Sequence, residues 1–243
     1  MLFRKHTFEH FKTYLMSLGV QMGSLFLVMG WTSYMSSRPL VEEQELFFAF
    51  FLVGSGTIFT STVFANLQGK NRAIATLMLP ASQLEKYLVG WIYSFFLFLL
   101  VSTGSFYLVA SLVLSLDTEK ADVLNIFTKD NFALSMLVIY AMLHGIAIWG
   151  AVAFEKMPFI KTALGFFLLA LLLIVLNNNL LEWMFDRELN NAVPFGNVSF
   201  QEQKEYFSVK LPEGQENLIG LFPAFMAALL WLAALVRLKE KQI

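Results

Sequence analysis

The sequence alternates between long apolar stretches and short polar connections. Six stretches contain no Asp, Glu, Lys or Arg, and each is close to the roughly 20 residues that a helix needs to cross a bilayer. The stretches are continuous and lack the period-2 alternation of barrel strands. The pattern therefore predicts an all-α integral membrane protein, a single transmembrane domain over residues 1–243. Its six transmembrane helices are expected at about residues 14–37, 46–68, 87–116, 132–154, 162–181 and 218–236.

The distribution of charge predicts the orientation of these helices. The two termini and the connections after the second and fourth spans carry 11 of the 17 Lys and Arg residues, but only 4 of the 18 Asp and Glu residues. Lys and Arg are concentrated in cytoplasmic loops of membrane proteins. Both termini are therefore predicted to be cytoplasmic, and residues 182–217 form the longest extracytoplasmic segment.

Composition excludes several classes of protein. Hydrophobic residues make up 57% of the chain and charged residues 14%, against about 45–50% and about 25% in soluble domains. This excludes an ordinary soluble enzyme, a disordered chain and a nucleic-acid-binding module. The chain has no Cys and only 3 His, so we expect no disulfide, no metal centre and no cofactor in this chain.

The connection between the second and third spans predicts a short amphipathic helix. Asn71 is a suitable N-cap, and Ile74, Leu77 and Met78 then fall on one helical face. Pro80 ends this helix. Such a helix can simply lie along the lipid headgroups, or it can dock a cytoplasmic partner.

The third span is predicted to begin with a capping box. Ser82 and Glu85 have the S-x-x-E spacing in which each side chain can satisfy a backbone N–H group of the first turn. The whole connection resembles that of ABC-2 type transporter permeases, especially the six-helix subunits of Bacteroidota. The residues that carry the resemblance are Leu79, Pro80, Ala81, Ser82, Glu85, Lys86 and Tyr87.

This resemblance implies a partner and a set of contacts. Residues 72–79 would be the coupling helix, which fits a groove on a separate ABC ATPase subunit that binds ATP and Mg. The implied contacts are Lys70, Arg72, Leu77, Met78 and Leu79, with Glu85 and Lys86 as secondary contacts. The chain has no G-x-x-x-x-G-K-[ST] motif of its own, so ATPase activity is expected only in the partner.

The resemblance also implies a function and a location. The chain would be the permease subunit of an ABC exporter in the bacterial inner membrane, paired with a second copy or a sister permease. An apolar interior with few buried charges favours an amphipathic substrate. One departure from the family concerns residues 189–216, which are too polar to dip back into the membrane.

The N-terminus predicts an interfacial amphipathic helix before the first span. Phe8, Phe11 and Leu15 share one helical face, and the basic residues Arg4 and Lys12 lie mostly elsewhere. A basic flank of the first span would explain the charges equally well, and the aromatic stripe favours the interfacial helix.

Several polar or small residues within the spans are candidates for a pathway or for helix packing. Gly19 and Gly23 form a G-x-x-x-G pair that allows close helix approach. His144 lies in the middle of the fourth span, where a lone His is more often a packing residue than a ligand. The complete set is Gly19, Gln21, Gly23, His144, Asn177, Asn178 and Asn179.

Two alternatives remain open from the sequence. One is a membrane scaffold or sensor subunit that transports nothing and binds a partner through its acidic outer segment. The other is an intramembrane hydrolase, which would require His144 to meet a serine such as Ser102 or Ser105.

Overall fold

The predicted six-helix membrane fold is confirmed. A computed structural model describes residues 2–36, 41–67, 82–116, 122–127, 132–186, 191–192, 194, 196, 198–202, 205–209 and 213–240. Within these ranges six helices are long and apolar enough to cross a membrane. They are α1 (Leu2–Ser36), α2 (Val41–Val63), α3 (Gln83–Ser115), α4 (Phe132–Ala153), α5 (Pro158–Phe185) and α6 (Glu213–Glu240). The predicted coupling helix at residues 72–79 lies outside the described residues.

Helix α1 runs without interruption from Leu2 to Ser36. The amphipathic segment predicted at the N-terminus is therefore the first part of the same helix as the first span, and no separate helix precedes it. Phe8 and Phe11 are exposed, at 73% and 57% of their surface, as expected for an aromatic stripe that faces lipid. That this N-terminal segment lies at the membrane interface stays a prediction.

Helix α4 lies at the centre of the packing and contacts α2, α5 and α6. Its glycines allow these close approaches. A Cβ atom on Gly145 would lie 3.3 Å from the carbonyl oxygen of Ala227 on α6, and one on Gly150 would overlap Thr162 of α5. Helix α1 packs mainly on α3. Small residues at these crossings allow close van der Waals packing. This packing stabilises the helix contacts, because the hydrophobic effect contributes little between helices in lipid.

Buried apolar side chains form two clusters. One joins the halves of the helices nearer the α1–α2 and α3–α4 connections and includes Leu25, Met29, Phe48, Phe106 and Tyr140. The other lies toward the α2–α3 and α4–α5 connections and includes Phe64, Tyr87, Tyr93, Ile148 and Leu238. Trp91 and Trp231 contact both clusters, so the two clusters are continuous.

The segment between α5 and α6 contains a small antiparallel sheet. Strands β1 (Asn191–Ala192), β2 (Val198–Glu202) and β3 (Glu205–Val209) pair in the order β1-β2-β3. In the β2–β3 hairpin Phe200 lies opposite Phe207, and Glu202 lies opposite Glu205. These strands lie in the segment that the sequence predicts to be the longest extracytoplasmic one.

Helix α5 is attached to the rest of the chain mainly at its start. Met157 has a left-handed backbone with φ of 49° and precedes Pro158, which occupies the first turn where its missing N–H is not needed. Pro158 is the one buried residue of α5. Beyond it most side chains are apolar and exposed, which leaves much of the helix surface to lipid or to another subunit.

Candidate functional site

Helix α3 begins at the capping box that the sequence predicts. The Oγ atom of Ser82 accepts a hydrogen bond from the backbone N–H of Glu85 at 3.1 Å. Glu85 is exposed, whereas Lys86 is only 8% exposed. This burial favours a packing role for Lys86 at the start of α3 and leaves Glu85 at the surface beside the connection that precedes it.

One face of the first two helical turns of α3 points toward the interior of the protein. Gln83, Tyr87 and Gly90 are buried on this face, and the hydroxyl of Tyr87 donates to the carbonyl oxygen of Trp231 at 2.9 Å. A Cβ atom on Gly90 would lie 2.9 Å from the ring of Phe64. The N-terminal end of α3 is therefore fixed to α6 and to the end of α2. Of the coupling residues implied by the family resemblance, Lys70, Arg72, Leu77, Met78 and Leu79 lie outside the described residues.

Helix α3 contains a π-helical turn at Tyr93–Leu97. The backbone N–H of Phe98 points to the carbonyl oxygen of Tyr93, five residues earlier, instead of four. The carbonyl oxygen of Ser94 accepts a hydrogen bond from the hydroxyl of Tyr140 at 2.7 Å. Such turns occur mostly as single bulges within α-helices and frequently at functional sites.

His144 lies against this turn and has no exposed surface. The indole Nε1–H of Trp231 donates to its Nδ1 at 3.1 Å, so Nδ1 acts as the acceptor and carries no proton. The other nitrogen, Nε2, lies 2.8 Å from the hydroxyl oxygen of Ser94. The Ser94 hydroxyl donates to the carbonyl oxygen of Gly90 at 2.8 Å, so Nε2–H is the donor to Ser94.

Aromatic rings enclose this network. Phe95 stacks on Tyr140 with a centroid distance of 5.6 Å and an interplanar angle of 11°. It also meets the rings of His144 and Trp231 at 5.1 Å and 5.4 Å. We call Ser94, Phe95, Tyr140, His144 and Trp231 the π-turn network. Each nitrogen of its histidine has a partner, so the network can fix the mutual positions of α3, α4 and α6.

The structure does not bring His144 to the serines that a hydrolase would need. Ser102 instead accepts a hydrogen bond from Gln21, and Ser105 donates to the carbonyl oxygen of Val101 at 2.7 Å. Ser94, which does contact His144, directs its own proton to a backbone carbonyl and is fully buried. The pair therefore lacks the access that a nucleophile requires.

Gln21 joins α1 to α3. Its Nε2 atom donates to the Oγ atom of Ser102 at 2.6 Å, and both side chains are buried. Gly19 and Gly23 on either side of it are exposed, and a Cβ atom on either would meet nothing within 4 Å. Within the described chain, this G-x-x-x-G pair is not used for close helix approach, and Gln21 makes the contact instead.

The three asparagines lie toward the outer end of α5. Asn177 and Asn178 are half-buried and Asn179 is exposed. The Oδ1 atom of Asn178 is buried, and no hydrogen-bond donor among the described residues reaches it. They therefore do not join the π-turn network. Among the residues that the structure describes, no group of three His, Cys, Asp or Glu side chains could hold a metal ion.

Apolar cavities open between the helices, among them one of about 350 Å³ between α2, α3 and α4 and two slightly larger ones. Of the larger two, one, of about 370 Å³, lies between α2, α4 and α5 and includes Val53, Leu143 and Ala163. The other, of about 390 Å³, lies between α1, α2 and α3 and is lined by both apolar and hydroxyl side chains. Sequence reasoning missed the π-turn network and the cavities, because their residues are far apart in the chain.

The comparisons with known proteins identify no relative. No protein-family model, no curated protein and no solved structure matches this chain. The function of the chain is therefore inferred from its own residues and from the family resemblance of residues 79–87.

Proposed function

We propose that the chain is the membrane-spanning permease subunit of an ABC exporter. The observation that carries the proposal is the junction at Ser82. Residues 79–87 have the pattern of the ABC-2 permease connection, and in the structure Ser82 caps the helix that starts there. A partner that pushes on the preceding connection would act on the capped end of α3.

The packing of α3 supports transmission of such a push. From its first turns, where Tyr87 contacts α6, the helix continues to the π-turn network, where Ser94 contacts His144 of α4. A displacement of the cytoplasmic end of α3 would therefore also shift α4 and α6. Rigid-body shifts of packed helices are a common basis of alternating states.

In this proposal the ATPase is a separate subunit. It binds ATP and Mg and docks on the 72–79 helix, with Lys70, Arg72 and the edge formed by Leu77, Met78 and Leu79 as contacts. Glu85, which is exposed, is a secondary contact. Lys86 would act through the packing of α3, because it is buried.

A second permease copy or a sister permease is part of the proposal. Helix α5 buries very little of its surface within the chain, and Asn178 has a buried amide oxygen without a partner among the described residues. A buried amide in hydrocarbon favours a hydrogen bond to a neighbouring helix. The apolar cavities are consistent with an amphipathic substrate.

The test is co-purification from mild detergent. A tagged chain is expected to bring down a Walker-motif ATPase in stoichiometric amount, and the double variant Leu77→Asp and Met78→Asp is expected to lose it while still inserting into the membrane. The matched control is Met157→Asp on the other inner connection. Met157 is 69% exposed and has a left-handed backbone, a conformation that Asp tolerates well.

Two results would overturn the proposal. One is the absence of any ATPase from the wild-type pull-down. The other is retention of the ATPase by the Leu77→Asp and Met78→Asp variant at the level of the Met157→Asp control.

A second candidate function is a membrane scaffold or sensor subunit that does not transport. The observation that favours it is the three-stranded sheet between α5 and α6, which would offer a folded surface to an outer partner. In the same pull-down, an outer-surface partner and no ATPase would support this function.

A further inference from the structure

We infer that the cavity between α1, α2 and α3 is a binding site for an anionic phospholipid of the cytoplasmic leaflet. We call this cavity the α1 groove. Its apolar wall would hold an acyl chain, and its polar end would lie at the level of the headgroup. This inference does not depend on an ATPase partner or on transport.

Two polar contacts between α1 and α3 mark the ends of the α1 groove. At one end the hydroxyls of Thr7 and Tyr93 contact each other, and at the other Gln21 donates to Ser102 at 2.6 Å. Thr7 and Gln21 are 14 residues apart in one helix, which corresponds to roughly 21 Å at the rise of an α-helix. The hydrocarbon of one leaflet is about 15 Å deep. The groove is therefore long enough for an acyl chain.

The wall between these contacts is apolar and opens toward the bilayer. Leu18, Phe59 and Val101 are among its lining residues, and the volume is about 390 Å³. Phe11 and Leu15 form the α1 wall and are 57% and 59% exposed. Since these residues belong to membrane-spanning helices, the medium that reaches the groove from the side is lipid.

The polar end of the α1 groove has the character of a headgroup site. Thr7 lies one turn before the membrane span that begins at Phe11. Tyr14 and Tyr93 lie just inside it, with ring centroids 5.6 Å apart, and tyrosine is enriched at this depth. These hydroxyl groups can donate to or accept from a phosphate or glycerol group.

Charge favours an anionic headgroup. Arg4 precedes Thr7 by three residues in α1, so its backbone position is on the groove side, one turn nearer the cytoplasm. Lys12 is exposed at the same end of the helix. Basic residues beside a membrane surface attract anionic lipids, by about 1 kcal/mol each.

The second cavity provides a comparison of nearly equal size. It lies between α2, α4 and α5, with a volume of about 370 Å³. Its polar lining residues are Thr57, Ser61 and Thr162, and the hydroxyls of Thr57 and Thr162 donate to carbonyl oxygens of their own helices. Among its lining residues it therefore has no counterpart to the tyrosine hydroxyls at the polar end of the α1 groove, although the exposed Lys161 lies beside it.

The test is native mass spectrometry of protein reconstituted in vesicles of equal parts phosphatidylglycerol and phosphatidylethanolamine, then transferred to mild detergent. We expect one phosphatidylglycerol to be retained per chain. Val101→Trp, which fills the α1 groove, should lower this retention about tenfold or more, equivalent to about 1.4 kcal/mol. Ala163→Trp, which fills the other cavity, should retain the lipid. Arg4→Gln should keep a lipid but lose the preference for phosphatidylglycerol.

Equal retention by Val101→Trp and wild type would overturn the inference, as would retention of no lipid by wild type. Leu97→Trp, at a second lining position, repeats the test if Val101→Trp does not elute as a single species. The chain has no Cys, so Leu15→Cys also tests whether a second copy occupies the groove instead. Oxidative cross-linking of this variant into a dimer within the membrane would overturn the lipid assignment.

Discussion

Trp231 of α6 donates its indole N–H to Nδ1 of His144 of α4 at 3.1 Å, although the two residues are 87 positions apart in the sequence. The second nitrogen of the same ring lies 2.8 Å from the hydroxyl oxygen of Ser94 on α3. One imidazole ring therefore joins three helices. Because both of its nitrogens have partners, the ring can fix the relative depth of these helices as well as their distance.

We expect His144→Ala to destabilise the fold by about 3–6 kcal/mol. The change leaves a cavity, which costs about 2–5 kcal/mol in well-packed cores. It also removes two hydrogen bonds, each worth about 0.6 kcal/mol in membrane proteins. The readout is the temperature at which half of the monodisperse elution peak is lost in mild detergent.

Two further variants make this measurement specific. Trp231→Phe keeps an aromatic ring but removes the indole donor, and we expect a smaller loss than for His144→Ala. Trp183→Ala changes a tryptophan that is 83% exposed. It should change the free energy of unfolding by no more than about 0.5 kcal/mol, so its thermal midpoint should be close to that of wild type. Equal midpoints for His144→Ala and Trp183→Ala would show that the π-turn network is not a stabilising element.

The sequence favoured a packing role for His144 over a ligand role but could not identify its partners. A lone histidine in an apolar span predicts only that hydrogen-bonding groups must be near, since an unpartnered polar group in hydrocarbon is costly. Ser94 and Trp231 are on other helices, and the wide turn that presents Ser94 arises from tertiary contacts with Tyr140 and His144. The helix propensity of the residues in this stretch does not predict a π-helical turn.

The close contact between α2 and α4 gives a second prediction. A Cβ atom on Gly56 would overlap the ring of Tyr140 and would lie 2.8 Å from Cε1 of Phe98. Overpacking of this kind costs about 1–3 kcal/mol, so Gly56→Ala should lower the thermal midpoint.

Gly54 on the same helix is the matched control for that change. A Cβ atom there would meet nothing within 4 Å, and alanine is favoured over glycine in a helix by about 0.5–1 kcal/mol. Gly54→Ala should therefore be neutral or slightly stabilising. If both variants melted alike, the contact between Gly56 and Tyr140 would not be as close as described.

The start of α3 gives a third prediction. Ser82→Ala removes the side-chain acceptor for the N–H of Glu85 and should cost about 1 kcal/mol. Ser82→Asp keeps an acceptor at the N-cap and should retain the wild-type midpoint. An Asp variant as unstable as the Ala variant would argue that the cap does not stabilise this end of the helix.

The sequence predicted the six spans because each is a continuous apolar run whose length is set by the bilayer. Local chemistry was equally informative at Ser82, where the cap needs only residues three positions apart. The strands around Phe200 and Phe207 were not predicted as strands, because the prolines and glycines on either side of them indicate turns without saying how the segments pair. The continuity of α1 was also missed, because the residues near Thr13 do not show whether the helix is interrupted there.

The outer connection between α3 and α4 gives the last prediction. Gln44 of α2 has no exposed surface, and its amide holds this connection at two points. Nε2 donates to the carbonyl oxygen of Asp122 at 3.1 Å, and Oε1 accepts from the N–H of Leu124 at 2.9 Å. Leu124 and Ile126 are each 2% exposed. The amide therefore holds a segment whose apolar side chains are inserted into the core.

We expect replacement of Gln44 to open this connection in graded steps. Gln44→Glu can still accept from Leu124, but only its protonated form can donate to Asp122. Gln44→Leu loses both bonds and leaves a buried N–H without a partner, at a cost of about 1–3 kcal/mol. The readout is labelling of Ile126→Cys by a membrane-impermeant maleimide in intact cells. The labelling rate should increase from the wild-type background through Gln44→Glu to Gln44→Leu.

Glu42→Gln, an exposed change in the same turn of α2, is the control and should label at the wild-type rate. Equal rates in all four backgrounds would show that Gln44 does not hold the connection closed, and labelling only after the cells are opened would reverse the predicted orientation.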